Sequence, residues 1–165
     1  MNMKKIALAA ALCATALTAQ ANLPQVDFTV EAVVPDNNFY VTPVGGWDAQ
    51  PQAMHWDESS MSLVESAPGK QLKMKNATGG IKAYLSVAPV LTSSASTDNI
   101  PLQVSLAGKV LPVTAASAVT LFDQSEAQTE QTVTMALAQA NPLNERPAAG
   151  KYMGNVTMIF DTVTP

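Results

Sequence analysis

From Val26 to Val34 the chain reads VDFTVEAVV. Val26, Phe28, Val30 and Ala32 fall on one side of an extended backbone, and Asp27, Thr29 and Glu31 on the other. This period of two predicts a half-buried β-strand, closed by Pro35 and by the turn formers Asp36, Asn37 and Asn38. FYVTPV (39–44) predicts a second short strand, ended by Gly45-Gly46. The stretch 47–58, with Pro51 and the sole histidine, His55, shows no period and reads as irregular. MSLVES (61–66) is strand-like and precedes a Pro68-Gly69 turn signal. QLKMKNA (71–77) alternates Leu72 and Met74 with Lys73 and Lys75; Gly79-Gly80 marks a tight turn, and IKAYLSVAPVL (81–91) alternates again. Together these two runs predict a hairpin.

A polar Ser/Thr loop (92–99) follows, then IPLQVSLAGKVLPV (100–113), which reads as strand, Ala107-Gly108 turn and strand. AASAVTLFD (115–123) fits a strand or a short helix, and TVTMALAQA (132–140) fits a strand. After the turn-rich NPLNERPAAG (141–150), the terminal KYMGNVTMIFDTV (151–163) alternates Val156, Met158 and Phe160 with polar neighbours, interrupted only by Ile159. About eight or nine short strands with regular turn signals, and no convincing 3.6-residue period after residue 21, predict an all-β sandwich.

Composition changes the picture at the N-terminus. Residues 1–21 carry Lys4 and Lys5, an apolar run from Ile6 to about Leu17, and small residues at Ala19 and Ala21. That is the pattern of a secretory signal peptide cleaved after Ala21, and the run is too short to span a bilayer. The expected organisation is a signal peptide over 1–21, an N-terminal strand over 22–34 and a single domain over 35–165. Of the 165 residues, 144 would remain, with seven basic and thirteen acidic side chains. A net negative chain with no basic stripe is not built for nucleic acid. The only cysteine, Cys13, lies in the signal region, so the exported domain is expected to fold without a disulfide.

The residues offer little catalytic chemistry. One histidine does not make a multi-histidine metal site, and no cofactor motif is present. A Ser–His–acid triad would have to draw on His55, Asp57 and Ser59, and a lone histidine between Met54 and Trp56 is far more often packed or merely exposed. Asp57 and Glu58 are adjacent, so on a strand they point to opposite faces. The compact basic region and short Ala-rich core of residues 1–21 suggest bacterial export, and in such a chain the glycosylation pattern at Asn76-Ala77-Thr78 and Asn155-Val156-Thr157 is a chance match. Trp47, Trp56 and Tyr84 fit core packing better than a sugar-binding surface. An enzyme is therefore not expected.

What stands out is strand edges. A sandwich with no disulfide and a strand at each end is suited to exchanging strands between subunits. An extended segment seated in a neighbour's groove would bury about four apolar side chains, each contributing roughly 1.5–3 kcal/mol, or about 6–12 kcal/mol gross. Repeated head to tail, such a contact does not close and builds a filament. The competing reading is a monomeric exported β-sandwich that binds a carbohydrate or a protein, with its N-terminal strand folded into its own domain.

The ending AGKYMGNVTMIFDTVTP, through Ala149, Gly150, Tyr152 and Gly154, resembles the close of the alpha-fimbrial major pilins, the class 5 colonisation-factor type of the alternate chaperone/usher pathway. NIPLQVSLAGKVLPVTAA (99–116), through Gly108, Val110 and Leu111, resembles their second signature. The resemblance implies an immunoglobulin-like β-sandwich lacking one strand. It implies the major structural subunit of an adhesive surface fimbria, polymerised by donor-strand complementation. Val26, Phe28, Val30 and Ala32 would be the donor face; Val156, Met158 and Phe160 would border the acceptor groove and bind the chaperone. Implied partners are neighbouring pilin subunits, a periplasmic chaperone, an outer-membrane usher, a minor tip adhesin and a host-cell receptor. With room for one domain only, the chain is expected to be the repeating shaft subunit.

Overall fold

A computed structural model describes residues 37–163 apart from 142 and 144. The expected signal peptide and the N-terminal strand with Val26, Phe28, Val30 and Ala32 lie outside the described residues. Twelve strand segments follow in order: β1 (Phe39–Pro43), β2 (Met54–Asp57), β3 (Ser62–Glu65), β4 (Lys70–Asn76), β5 (Gly80–Leu85), β6 (Val90–Ser93), β7 (Asn99–Leu106), β8 (Lys109–Val110), β9 (Val119–Phe122), β10 (Gln131–Gln139), β11 (Tyr152–Met153) and β12 (Met158–Val163). One sheet runs β1-β4-β10-β7-β6-β11, with β8 also paired to β7; a second runs β12-β5-β9; β2 and β3 form a hairpin. All pairings are antiparallel. This is the expected sandwich.

The core forms where period-two faces meet. Leu72 and Met74 of β4, Val104 and Leu106 of β7, and Val133 and Met135 of β10 are buried, and Ile81, Ala83 and Leu85 of β5 are buried with them. Lys73 and Thr132, opposite one another on β4 and β10, lie on the other face. The segment that fitted either strand or helix contains a 3₁₀ turn (Ala115–Ser117) followed by β9. In the polar stretch after it, Asp123 starts a single helical turn, α1 (Gln124–Ala127). Its carboxylate accepts from the Glu126 N–H while the Glu126 side chain accepts from the Asp123 N–H, a reciprocal cap.

Three expectations are corrected. Residues 71–91 do not form a hairpin: β4 pairs with β1 and β10, whereas β5 pairs with β12 and β9. Both strands carry apolar inner faces, and the chain turns so that these faces lie in different sheets. A hairpin would have put them side by side in one sheet. The turn is too crowded for larger residues, since a Cβ on Gly79 would lie 2.5 Å from the Val163 carbonyl oxygen. The stretch 47–58 is not wholly irregular, because β2 pairs with β3 from Met54↔Glu65 to Asp57↔Ser62; four residues are too few for a period to show. The terminal strand is two strands. β11 pairs with β6, and β12 pairs with β5 in the other sheet. Gly154 makes the crossing, where its backbone runs so close to Val90 that any Cβ would overlap the Val90 carbonyl oxygen.

Candidate functional site: an apolar groove beside the last strand

β12 pairs with β5 from Met158↔Leu85 to Val163↔Gly80, and among the described residues no strand pairs with its other side. The hydrogen-bond parity shows what that side presents. The Ser86 N–H donates to the Thr157 carbonyl at 3.0 Å, so Thr157 faces β5. The Leu85 N–H turns the other way, to the Pro112 carbonyl at 2.7 Å. In an antiparallel ladder this alternates. Ile159, Asp161 and Val163 therefore bond toward β5, while the N–H and C=O groups of Met158, Phe160 and Thr162 point to the open edge.

A cavity of about 1080 Å³ lies against β12. Val156, Met158 and Phe160 line it from the small sheet. Val41 of β1, Leu72 of β4, Met135 and Leu137 of β10, and Ile100 and Leu102 of β7 line it from the large one. The structure thus brings the three C-terminal residues onto one wall and resolves the break in alternation: Ile159 lies across from Tyr84 on the other face. Several of these apolar side chains, Val41, Leu137, Met158 and Phe160 among them, are only half-buried. Water-exposed apolar walls of this extent favour an occupant.

Each end of the groove is held by polar contacts that the sequence pattern did not reveal. Asn76 is fully buried; its amide donates to the Gly80 carbonyl (3.0 Å) and to Thr162 Oγ1 (3.1 Å), and its Oδ1 accepts from the Thr78 N–H (3.1 Å) and Oγ1 (3.0 Å). The end of β12 is thereby tied to the β4–β5 turn, and Asn76 has no free amide for a glycan. At the other end Tyr152 Oη donates to the Ala148 carbonyl (2.9 Å), and Asp98 Oδ2 accepts from the Ala148 N–H (2.8 Å), fixing the 148–150 segment that lines the cavity. The β2–β3 hairpin contributes Met54, Trp56 and Leu63 to the lining. It is joined to β4 by a buried ion pair, Lys70 Nζ to Glu65 Oε1 at 2.8 Å.

The remaining sequence candidates do not converge. His55 Nδ1 lies 3.3 Å from Ser66 Oγ, while Asp57 accepts from Ser59 and Ser60. Those serines hold the Asp57 carboxyl below its usual range, the Ser59 hydroxyl most of all. Trp47 and Trp56 line the cavity, and Tyr84 does not. Trp47 packs against the core and donates its indole N–H to the Gln71 carbonyl at 2.9 Å.

On the outer face of β12, Asp161 Oδ2 lies 3.2 Å from Lys82 Nζ, and its Oδ1 accepts from the Thr162 N–H at 2.7 Å. The Lys82 bond, then the Thr162 N–H, hold the Asp161 carboxyl below the ordinary range.

The family model described as "CS1 type fimbrial major subunit" matches residues 24–161. No curated protein matches. Among solved structures, the CooA pilin subunit from enterotoxigenic Escherichia coli is similar in fold, with a TM-score of 0.54 and 22% identity over 75% of this chain and 88% of that one. The chain belongs to the CS1-type fimbrial major subunit family, and is a structural subunit that polymerises with other pilin subunits into a cell-surface fimbria.

Proposed function

We propose that the subunit polymerises by donor-strand complementation: residues 22–34 of one copy lie in the groove of the next, against the open edge of β12. The observation that carries this reading is the last strand itself. Among the described residues, no strand pairs with β12 on the side where the half-buried apolar groove opens. An unpaired edge is a template for another strand, and the segment with Val26, Phe28, Val30 and Ala32 on one face supplies the apolar row such a groove accepts. Val156, Met158 and Phe160 are the acceptor wall. Before assembly, the same edge needs a temporary partner, the role of a periplasmic chaperone. Export by the signal peptide, subunit exchange at an outer-membrane usher and a minor tip adhesin complete the pathway.

Phe28→Asp would place a charge in an apolar groove at a position expected to contribute roughly 1.5–3 kcal/mol of burial. Electron microscopy of cells expressing this variant should show no fibres, whereas Asp27→Asn, on the outer face, should assemble normally. Fibres from Phe28→Asp at the native level would overturn the reading.

A further inference from the structure

We infer that Asp161 sets the register of the inserted strand, by excluding Asp27 and Glu31 from the position opposite it and leaving that position to Thr29. The inference rests on the strand-insertion reading and adds a residue that determines specificity.

An inserted strand running antiparallel to β12 follows the commoner and better hydrogen-bonded arrangement. Because the apolar face must point inward, only registers differing by two residues are allowed. Registers that put Asp27, Thr29 or Glu31 opposite Asp161 all turn the same apolar face inward; in the second Val26, and in the third Val26 and Phe28, pass the end of β12 at Val163. A shift further one way sets Pro24, which has no N–H, opposite Thr162 at a hydrogen-bonding site. A shift further the other way carries Val26, Phe28 and Val30 all beyond Val163, the last residue of β12.

Charge makes the choice. Asp161 bonds toward β5, so on the open side it occupies a non-hydrogen-bonded site, where facing Cα atoms approach to about 4.5 Å and side chains are closest. A carboxylate directly opposite Asp161 is repelled there, and Lys82 is already engaged on its far side. Thr29 instead offers a hydroxyl donor. In this register Phe28 lies opposite Thr162, whose N–H faces the open edge and is held by the Asp161 carboxylate. The Phe28 carbonyl takes over that N–H, and the freed Asp161 oxygen accepts from Thr29. Asp161 thus covers part of the edge before insertion and reads the strand that replaces its contact, combining a repulsive with an attractive element.

Cysteine pairs test the register in fibres, since the only native cysteine, Cys13, lies in the expected signal peptide. A facing pair at a Cα separation of about 4.5 Å is within disulfide range. The proposed register places residue 33 opposite 157. The alternatives place 29 opposite 159 (Asp27 facing Asp161) or 33 opposite 159 (Glu31 facing Asp161). Mild oxidation should give covalent ladders with Val33→Cys/Thr157→Cys, at least about fivefold over Thr29→Cys/Ile159→Cys and Val33→Cys/Ile159→Cys. Adding Asp161→Asn should raise cross-linking in those last two pairs. Preferential cross-linking by either alternative pair, or no change on adding Asp161→Asn, would overturn the role of Asp161 while leaving strand insertion standing. Fibres in which none of the three pairs cross-links would overturn strand insertion as well.

Discussion

Replacing Glu65 with alanine is expected to lower stability by about 3–5 kcal/mol. Glu65 and Lys70 form an ion pair whose side chains are each only 6% exposed. The Lys70 ammonium also donates to the Ala67 carbonyl at 2.6 Å. Truncating the carboxylate leaves a buried ammonium with a single neutral acceptor, and the cost of that stranded charge exceeds the value of the pair. In urea unfolding, with a slope of about 2 kcal/mol per molar, the midpoint should fall by about 2 M. The double variant Glu65→Leu/Lys70→Met removes both charges and should recover most of the loss. A single variant within about 1 kcal/mol of the native protein would show that the pair is hydrated in solution. The pair matters beyond stability because it fastens the β2–β3 hairpin, with Met54, Trp56 and Leu63, beside the groove.

The second large effect is expected at Asn76. Asn76→Leu keeps the volume and removes four hydrogen bonds, those to the Gly80 carbonyl, to Thr162 Oγ1 and from the Thr78 N–H and hydroxyl. At about 0.5–1.5 kcal/mol net for each, a loss of roughly 3 kcal/mol is expected. Its distribution is diagnostic. Asn76 also holds Thr162, so hydrogen exchange should accelerate in β12 more than in β7 or β10, to which the Asn76 side chain makes no hydrogen bond. Uniform acceleration across all strands would mean that Asn76 supports the core generally and does not anchor the last strand.

How much of this was legible in the chain depends on whether the signal was local. The alternation of Leu72 and Met74 with Lys73 and Lys75 marked β4, and the alternation in 100–106 and 132–139 marked β7 and β10. Those patterns report which face is buried, because the side-chain period of a strand is two. They carry no information about which strand lies alongside, and so 71–91 read as a hairpin although its halves belong to opposite sheets. The break at Gly154 was hidden for the same reason: β11 and β12 look continuous in sequence, and only the close approach to Val90 separates them. The Glu65–Lys70 pair and the bonds of Asn76 were not legible either. A charged or amide residue on an inner face is expected at the surface until its partner is known.

For the groove, the alternation of Val156, Met158 and Phe160 located one wall, while the opposite wall is assembled from β1, β4, β7 and β10, scattered over a hundred residues. Asp161 was legible as a polar residue that had to face outward from the last strand. Its bonds to Lys82 and to the Thr162 N–H, which give it a place at the open edge, depend on pairing with β5.

On the proposed reading, the domain is completed by a strand from a neighbouring subunit. The most direct measurement is thermal unfolding of the mature chain lacking residues 22–34, with and without a synthetic peptide of that segment, alongside light scattering. If a neighbour's strand completes the fold, the truncated domain is unstable or aggregates alone and is rescued in trans. Peptide at a hundredfold excess over its dissociation constant should add about 2.7 kcal/mol, or about 10 °C in melting temperature for a domain of this size. A truncated domain that is a stable monomer, with a melting temperature unmoved by saturating peptide, would contradict it.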